Sequence, residues 1–172
     1  PNLWLDLQNR PYVQDSGDKL YRRSLYTYIK RSVPPPNMAA MDAPNREVCT
    51  MRRQRTSTPL MALVMMNDPT YVEAARSLAQ RIMLEAGPST EDRVRLAYEI
   101  TLGRQPEATE VAELVDLYQR QLVVYQRDSD SAASLLAVGE TLRDESLDTS
   151  EHAAWTCLTS VLLNLDETIS KE

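Results

Sequence analysis

Phenylalanine is absent from this 172-residue chain, and only one histidine and two cysteines are present. Leu, Met, Tyr and Trp must therefore fill the core volume that Phe usually takes. Cys49 and Cys157 stand far apart and form neither a metal box nor the Cys-x-x-Cys-His needed to attach haem covalently. No cofactor is expected within this chain. A Cys49 to Cys157 disulfide is permitted in an exported protein, but spacing leaves it undetermined. No apolar run approaches the roughly 20 residues that span a bilayer, so no transmembrane segment is expected. Pro1-Asn2-Leu3-Trp4 lacks the basic and apolar regions of a signal peptide, and reads as the start of a piece of a longer chain. No complete catalytic, metal, nucleotide or nucleic-acid signature can be assembled from the remainder.

The chain does have enough apolar residues, 42% of the total, to build one core, and a single domain over residues 1–172 is expected. Charge is divided unevenly: residues 1–86 hold 12 Lys/Arg against 8 Asp/Glu, and residues 87–172 hold 7 against 17. Complementarity between two halves of one fold accounts for that division without a partner. Nucleic acid calls for a basic domain with groove-reading or stacking elements, and a chain of net charge −6 with no such module argues against it.

Periodicity predicts an all-α fold. Leu20, Tyr21, Leu25, Tyr28 and Ile29 recur near helical spacing over residues 18–32, and Pro34-Pro35-Pro36 forces the chain into an extended or polyproline segment. Residues 33–58 form a long Pro/Arg-rich loop, with a short strand or buried extended piece near Val48. Met38, Met41, Val48 and Met51 are too apolar for a solvated linker, so the loop is expected to be ordered and laid over the core. Residues 59–172 are the helical body. Thr58-Pro59 and Asp68-Pro69 are hydroxyl- and carboxylate-capped helix starts with proline at the first helical position. Gly87-Pro88 ends the second of these helices, Ser89 or Thr90 caps the next, and Gly103 to Pro106 terminates it. Glu107 to Arg127 is the longest helix, with Val111, Leu114, Val115, Tyr118, Leu122 and Tyr125 on its inner face. Asp148 to Glu151 reads as a capping box opening a last helix to about Leu165, with Ala154, Leu158, Val161, Leu162 and Leu165 inward and Trp155 on the flank.

One charged locus invites a functional reading. Arg52, Arg53 and Arg55, with Arg46 nearby, precede the Thr58 helix start, where free backbone donors and the helix dipole already favour an anion. They have the chemistry to grip sulfate, phosphate or carboxylate; pairing with carboxylates of the same chain is the more frequent use of such a cluster. Asp42 and Glu47 in the same loop are the natural partners, and are also the candidates for a catalytic acid and base, although no nucleophile, metal ligand or oxyanion donor joins them. His152, in the first turn of the last helix, is assigned a surface or capping role. Asp166 and Glu167 fall at the C-terminus of that helix, where the dipole disfavours anions, so structural ion pairs with Arg46, Arg52, Arg53 or Arg55 are expected there.

Leu20-Tyr21-Arg22-Arg23-Ser24-Leu25-Tyr26-Thr27, Val33-Pro34-Pro35-Pro36, Asp42-Ala43-Pro44-Asn45-Arg46-Glu47 and Arg52-Arg53-Gln54-Arg55-Thr56 resemble one family. Thr58-Pro59-Leu60, Asn67-Asp68-Pro69, Leu102-Gly103-Arg104 and Leu162-Leu163-Asn164-Leu165-Asp166-Glu167 are similar to it as well. It is the planctomycete-specific domain of unknown function, found towards the C-terminus of large exported bacterial proteins. The resemblance implies that this chain is the C-terminal part of that domain, that its setting is extracytoplasmic, and that any covalent haem belongs to a cytochrome c-like segment elsewhere in the parent protein. The family pattern has Asn where this chain has Ser57 and Gln where it has Met61, which argues against a required polar ligand at either position. Two functions follow. The first is a noncatalytic binding or assembly module acting with other domains of the same parent chain. The alternative is part of an enzyme acting on polyanionic or sulfated polysaccharide, with the Arg loop as substrate clamp.

Overall fold

A computed structural model describes residues 15–29, 34–53 and 56–169. It is all-α, with no strand among the described residues. Among the described residues the α-helices follow in order: α1 (Pro36–Ala40), α2 (Pro59–Asn67), α3 (Pro69–Glu85), α4 (Thr90–Leu102), α5 (Ala108–Arg127), α6 (Ser129–Leu136), α7 (Thr149–Leu163) and α8 (Asp166–Ile169). The chain divides into two compact units, Pro1–Val64 and Met65–Glu172, with the division falling inside α2.

In the first unit the helix expected over 18–32 is replaced by two short 3-10 turns, Gly17–Tyr21 and Ser24–Tyr26; residues 30–32 lie outside the described residues. Helix nucleation is unfavourable without tertiary packing. Little is supplied among the described residues, where Leu25, Tyr26 and Tyr28 are all at least 70% exposed. Within the triple proline Pro35 is extended, at φ −56° and ψ 125°, and Pro36 opens α1. Neither a strand nor burial is found near Val48, which is 70% exposed, and Met51 is fully exposed. These two side chains correct the expectation that the loop buries its apolar residues.

The second unit is a helical bundle built around α7, which packs most extensively on α3 and α5 and also on α6 and α4. The stripes read from periodicity meet there: Ala79 and Ile82 of α3, Val94, Ala97 and Tyr98 of α4, Leu114 and Tyr118 of α5, and Ala154, Leu158 and Leu162 of α7 form one buried cluster. Trp155, expected on the flank, is wholly buried and lies with its ring centroid 4.9 Å from that of Tyr118. Val161, expected inward, is 40% exposed. Thr159 is buried on the α3 side, its hydroxyl donating to the Ala75 carbonyl at 2.8 Å.

Caps fix the helix boundaries. Asp68 accepts from the Thr70 N–H at 2.9 Å and Asp148 from the Glu151 N–H at 2.9 Å. Thr58 Oγ1 accepts from the Met61 N–H at 3.2 Å. Ser89 is the residue before α4, yet its hydroxyl makes no cap bond. Glu151 does not complete the expected capping box; its carboxylate lies 3.7 Å from Arg93. Gly103 ends α4 in the left-handed region, as a glycine there allows. Helix α6 was not evident from periodicity; Asp128 opens it by accepting from the Ser131 N–H and hydroxyl.

Candidate functional site

The loop locus is held together by its own residues. Asp42 adopts φ 57°, an unusual conformation for a non-glycine residue. Its carboxylate accepts from the Thr56 hydroxyl at 2.6 Å and the Thr56 N–H at 2.7 Å. Those two bonds, with the Arg53 charge a smaller contribution, hold the Asp42 carboxyl below its usual range. Arg53 in turn donates through Nε to the Asp42 carbonyl at 3.0 Å and through its second nitrogen to the Met41 carbonyl. Asp42 and Arg53 are thus brought together, but as the clasp of a loop.

The other loop candidates do not converge on it. Glu47 is exposed, and its N–H donates to the Asn45 side chain at 3.1 Å. Arg46 and Arg52 are exposed, with Arg46 at φ 61°. Arg55 lies outside the described residues. A cavity of about 50 Å³ beside the loop is lined by Ile29, Pro34, Pro35, Met38, Ala39, Ala43, Pro44 and Asn45, and so is apolar and small. No group of three or more His, Cys, Asp or Glu among the described residues is placed to hold a metal ion, and no described helix is long and apolar enough to cross a membrane.

In the second unit one charge cluster closes on itself. Arg104, just beyond the Gly103 cap, is a two-sided fork: it donates to both Glu110 oxygens at 2.7 and 2.8 Å and to both Glu167 oxygens at 2.9 and 3.0 Å. Its guanidinium carbon lies 5.2 Å from the centre of the Tyr98 ring. Bonding to Arg104 first, and to the Glu107 N–H second, brings the Glu110 carboxyl down to about 2. The cation opposite Glu167 is therefore Arg104. Asp166 and Glu167 also occupy the first turn of α8, where the dipole favours anions.

A second polar cluster was not anticipated. Glu73 and Arg76, one turn apart on α3, are 2% and 4% exposed. Arg76 donates to the Leu136 carbonyl at 3.1 Å and to the Thr141 carbonyl at 2.5 Å; Glu73 accepts from the Thr141 N–H at 2.5 Å. His152 is wholly buried, which corrects its assignment to the surface, and its Nε2 is 3.1 Å from the Arg76 carbonyl. Cys157 is a free, partly buried thiol 3.1 Å from the Tyr125 hydroxyl, and Cys49 is free and exposed.

Fold and site together define an all-α module whose charged clusters hold its own segments. Residues 2–118 match the family described as PSD1: Protein of unknown function (DUF1553), and the chain belongs to it. No curated protein and no solved structure matches.

Proposed function

We propose that this chain is a noncatalytic binding or assembly module of a larger exported, cytochrome-associated protein, and that its first unit docks on another domain of the same parent chain. The observation that carries this reading is the exposure of the apolar side chains among the described residues of the first unit. No described residue of the first unit is buried, while Leu25, Tyr26, Tyr28, Val48, Met51 and Leu60 are each more than 60% exposed. A segment that buries so little apolar surface does not offset the conformational entropy of ordering it, at about 1–2 kcal/mol per residue for the backbone alone. Helix α2 makes the same point, since Pro59–Asn67 contains no charged side chain and no buried residue. A helix apolar on all sides belongs in an interior. The enzymatic alternative needs a polar cleft converging on Asp42, Glu47 and the arginines; Asp42 and Arg53 are instead bonded to the loop backbone and Thr56.

The test is binding between this chain and the remaining segments of the parent, expressed separately. Leu60→Glu is expected to weaken the complex at least tenfold, with the helical content of the chain unchanged. Failure of every parent segment to bind, together with binding and cleavage of a sulfated polysaccharide that Arg52→Ala abolishes, would replace this reading with the enzymatic one.

A further inference from the structure

The connection from α6 to α7 is a strap tied down at several named atoms. Thr141 is bonded through its N–H to Glu73 and through its carbonyl to Arg76. The Asp144 N–H donates to the Gln80 side chain at 2.9 Å, and Arg143 donates to the Thr149 hydroxyl at 3.2 Å. Each tie joins the strap to α3 or to the head of α7, the turn that carries His152.

His152 has an asymmetric hydrogen-bonding position there. A carbonyl can only accept, so the proton of the neutral ring is on Nε2, facing the Arg76 carbonyl. Nδ1 is buried with no hydrogen-bond partner among the described residues. A second proton on Nδ1 would have no acceptor, and the ring would become a cation in a site that already holds the guanidinium groups of Arg76 from α3 and Arg143 from the strap. Asp144 is the opposing anion, and its carboxylate is engaged by the Ser146 N–H and hydroxyl. Glu73 is committed to Thr141. On α7 itself, Asp148 caps the helix and Glu151 lies towards Arg93. The buried contact of α6 with α7 is apolar, Ala132 and Leu136 against Ala153.

We propose that His152 makes this strap acid-labile: protonation of the imidazole detaches residues 138–147 from α3 and from the head of α7 while the rest of the bundle stays folded. Opening the strap admits water to Nδ1 and removes Arg143, so the imidazolium gains solvation and loses a like charge in one step. Burial, ahead of the Arg143 and Arg76 charges, pushes His152 below its ordinary value, against the opposing effects of the Arg76 carbonyl and Asp144. The closed state therefore binds fewer protons than the open one. Its stability is complete above the open-state value of about 6.5 and falls as pH drops below it, by about tenfold in the closing equilibrium per pH unit until the closed state itself titrates.

Amide hydrogen exchange of the whole chain, corrected for the intrinsic pH dependence of exchange, reads this directly. Between pH 7 and pH 5.5, protection at the Thr141 and Asp144 amides is expected to fall, by up to about tenfold, while the Leu158 and Leu162 amides keep theirs. The His152→Gln variant, which retains an N–H donor for the Arg76 carbonyl and has no titration, is expected to show flat profiles at both strap amides. The NMR titration of the His152 ring in the unmodified chain provides a readout independent of that variant, and its midpoint must lie below about 6.5. Strap protection that does not change with pH, an equal fall at Leu158 and Leu162, or an unperturbed ring titration would each overturn the proposal.

Discussion

Replacing Gly139 with alanine probes how closely the strap is fitted to α3. Gly139 has φ 96°, a left-handed conformation that side chains rarely adopt. A Cβ added there would fall 2.5 Å from Oε2 and 2.6 Å from Cγ of Glu73, and closer still to Cδ. An exposed carboxylate would swing aside at little cost. This one is 2% exposed and bonded to the Thr141 N–H, so displacing it breaks a strap tie as well. Backbone strain of this kind costs about 1–3 kcal/mol. Overpacking a filled site costs about 1–3 kcal/mol more. The sum, about 2–6 kcal/mol, is large against the roughly 5–15 kcal/mol that holds a domain folded. The two contributions separate in a double-mutant cycle read by urea denaturation. In a Glu73→Ala background the clash is gone and only the strain persists, so Gly139→Ala should cost about 1–3 kcal/mol less there than in the unmodified chain. Equal costs in both backgrounds, or a neutral Gly139→Ala, would show that the strap does not bear on Glu73.

Two further outcomes are expected. Asp68→Ala removes the acceptor for the Thr70 N–H and should lower stability by about 0.5–2 kcal/mol, seen as a reduced denaturation midpoint; an unchanged midpoint would remove the cap from the account. A thiol reagent applied under native conditions should modify exposed Cys49 well before Cys157, whose thiol burial pushes up with the Tyr125 bond acting the other way; equal rates by mass spectrometry would refute the packing of α5 on α7 at that point.

Helices that supply their own punctuation were legible in the sequence. Pro at the first helical position after Asp68, Gly at 103 and the 3.6-residue stripe of α5 each act through neighbours in the chain, so the boundaries of α3, α4 and α5 followed from local chemistry. Residues 18–29 carry a comparable stripe and do not form the α-helix, because periodicity states which face would be buried and not whether anything is there to bury it. The site residues divide in the same way. Asp42 and Arg53 were suspected from their proximity in the loop, and their mutual bonds are short-range. Glu73, Arg76 and His152 carried no signal, since their partners are 60 to 76 positions away along the chain and a charged residue on a helix is ordinarily solvated. The local rule that appeared broken at Asp166 depended on where α7 ends; α7 stops at Leu163 and a new turn begins at Asp166.

Helix α7 is the hub of the bundle, yet the helices it organises are all made before it. As the chain leaves the ribosome, α3 to α5 emerge with their apolar stripes and without Trp155, Leu158 and Leu162, the residues those stripes enclose. Long-range docking of this kind leaves apolar surface uncovered until the last partner arrives, a state that favours chaperone capture and aggregation. Translation pauses, or truncations upstream of Thr149, therefore fall at the most hazardous stage of this chain's synthesis. The order of its helices makes the bundle a structure completed all at once and late.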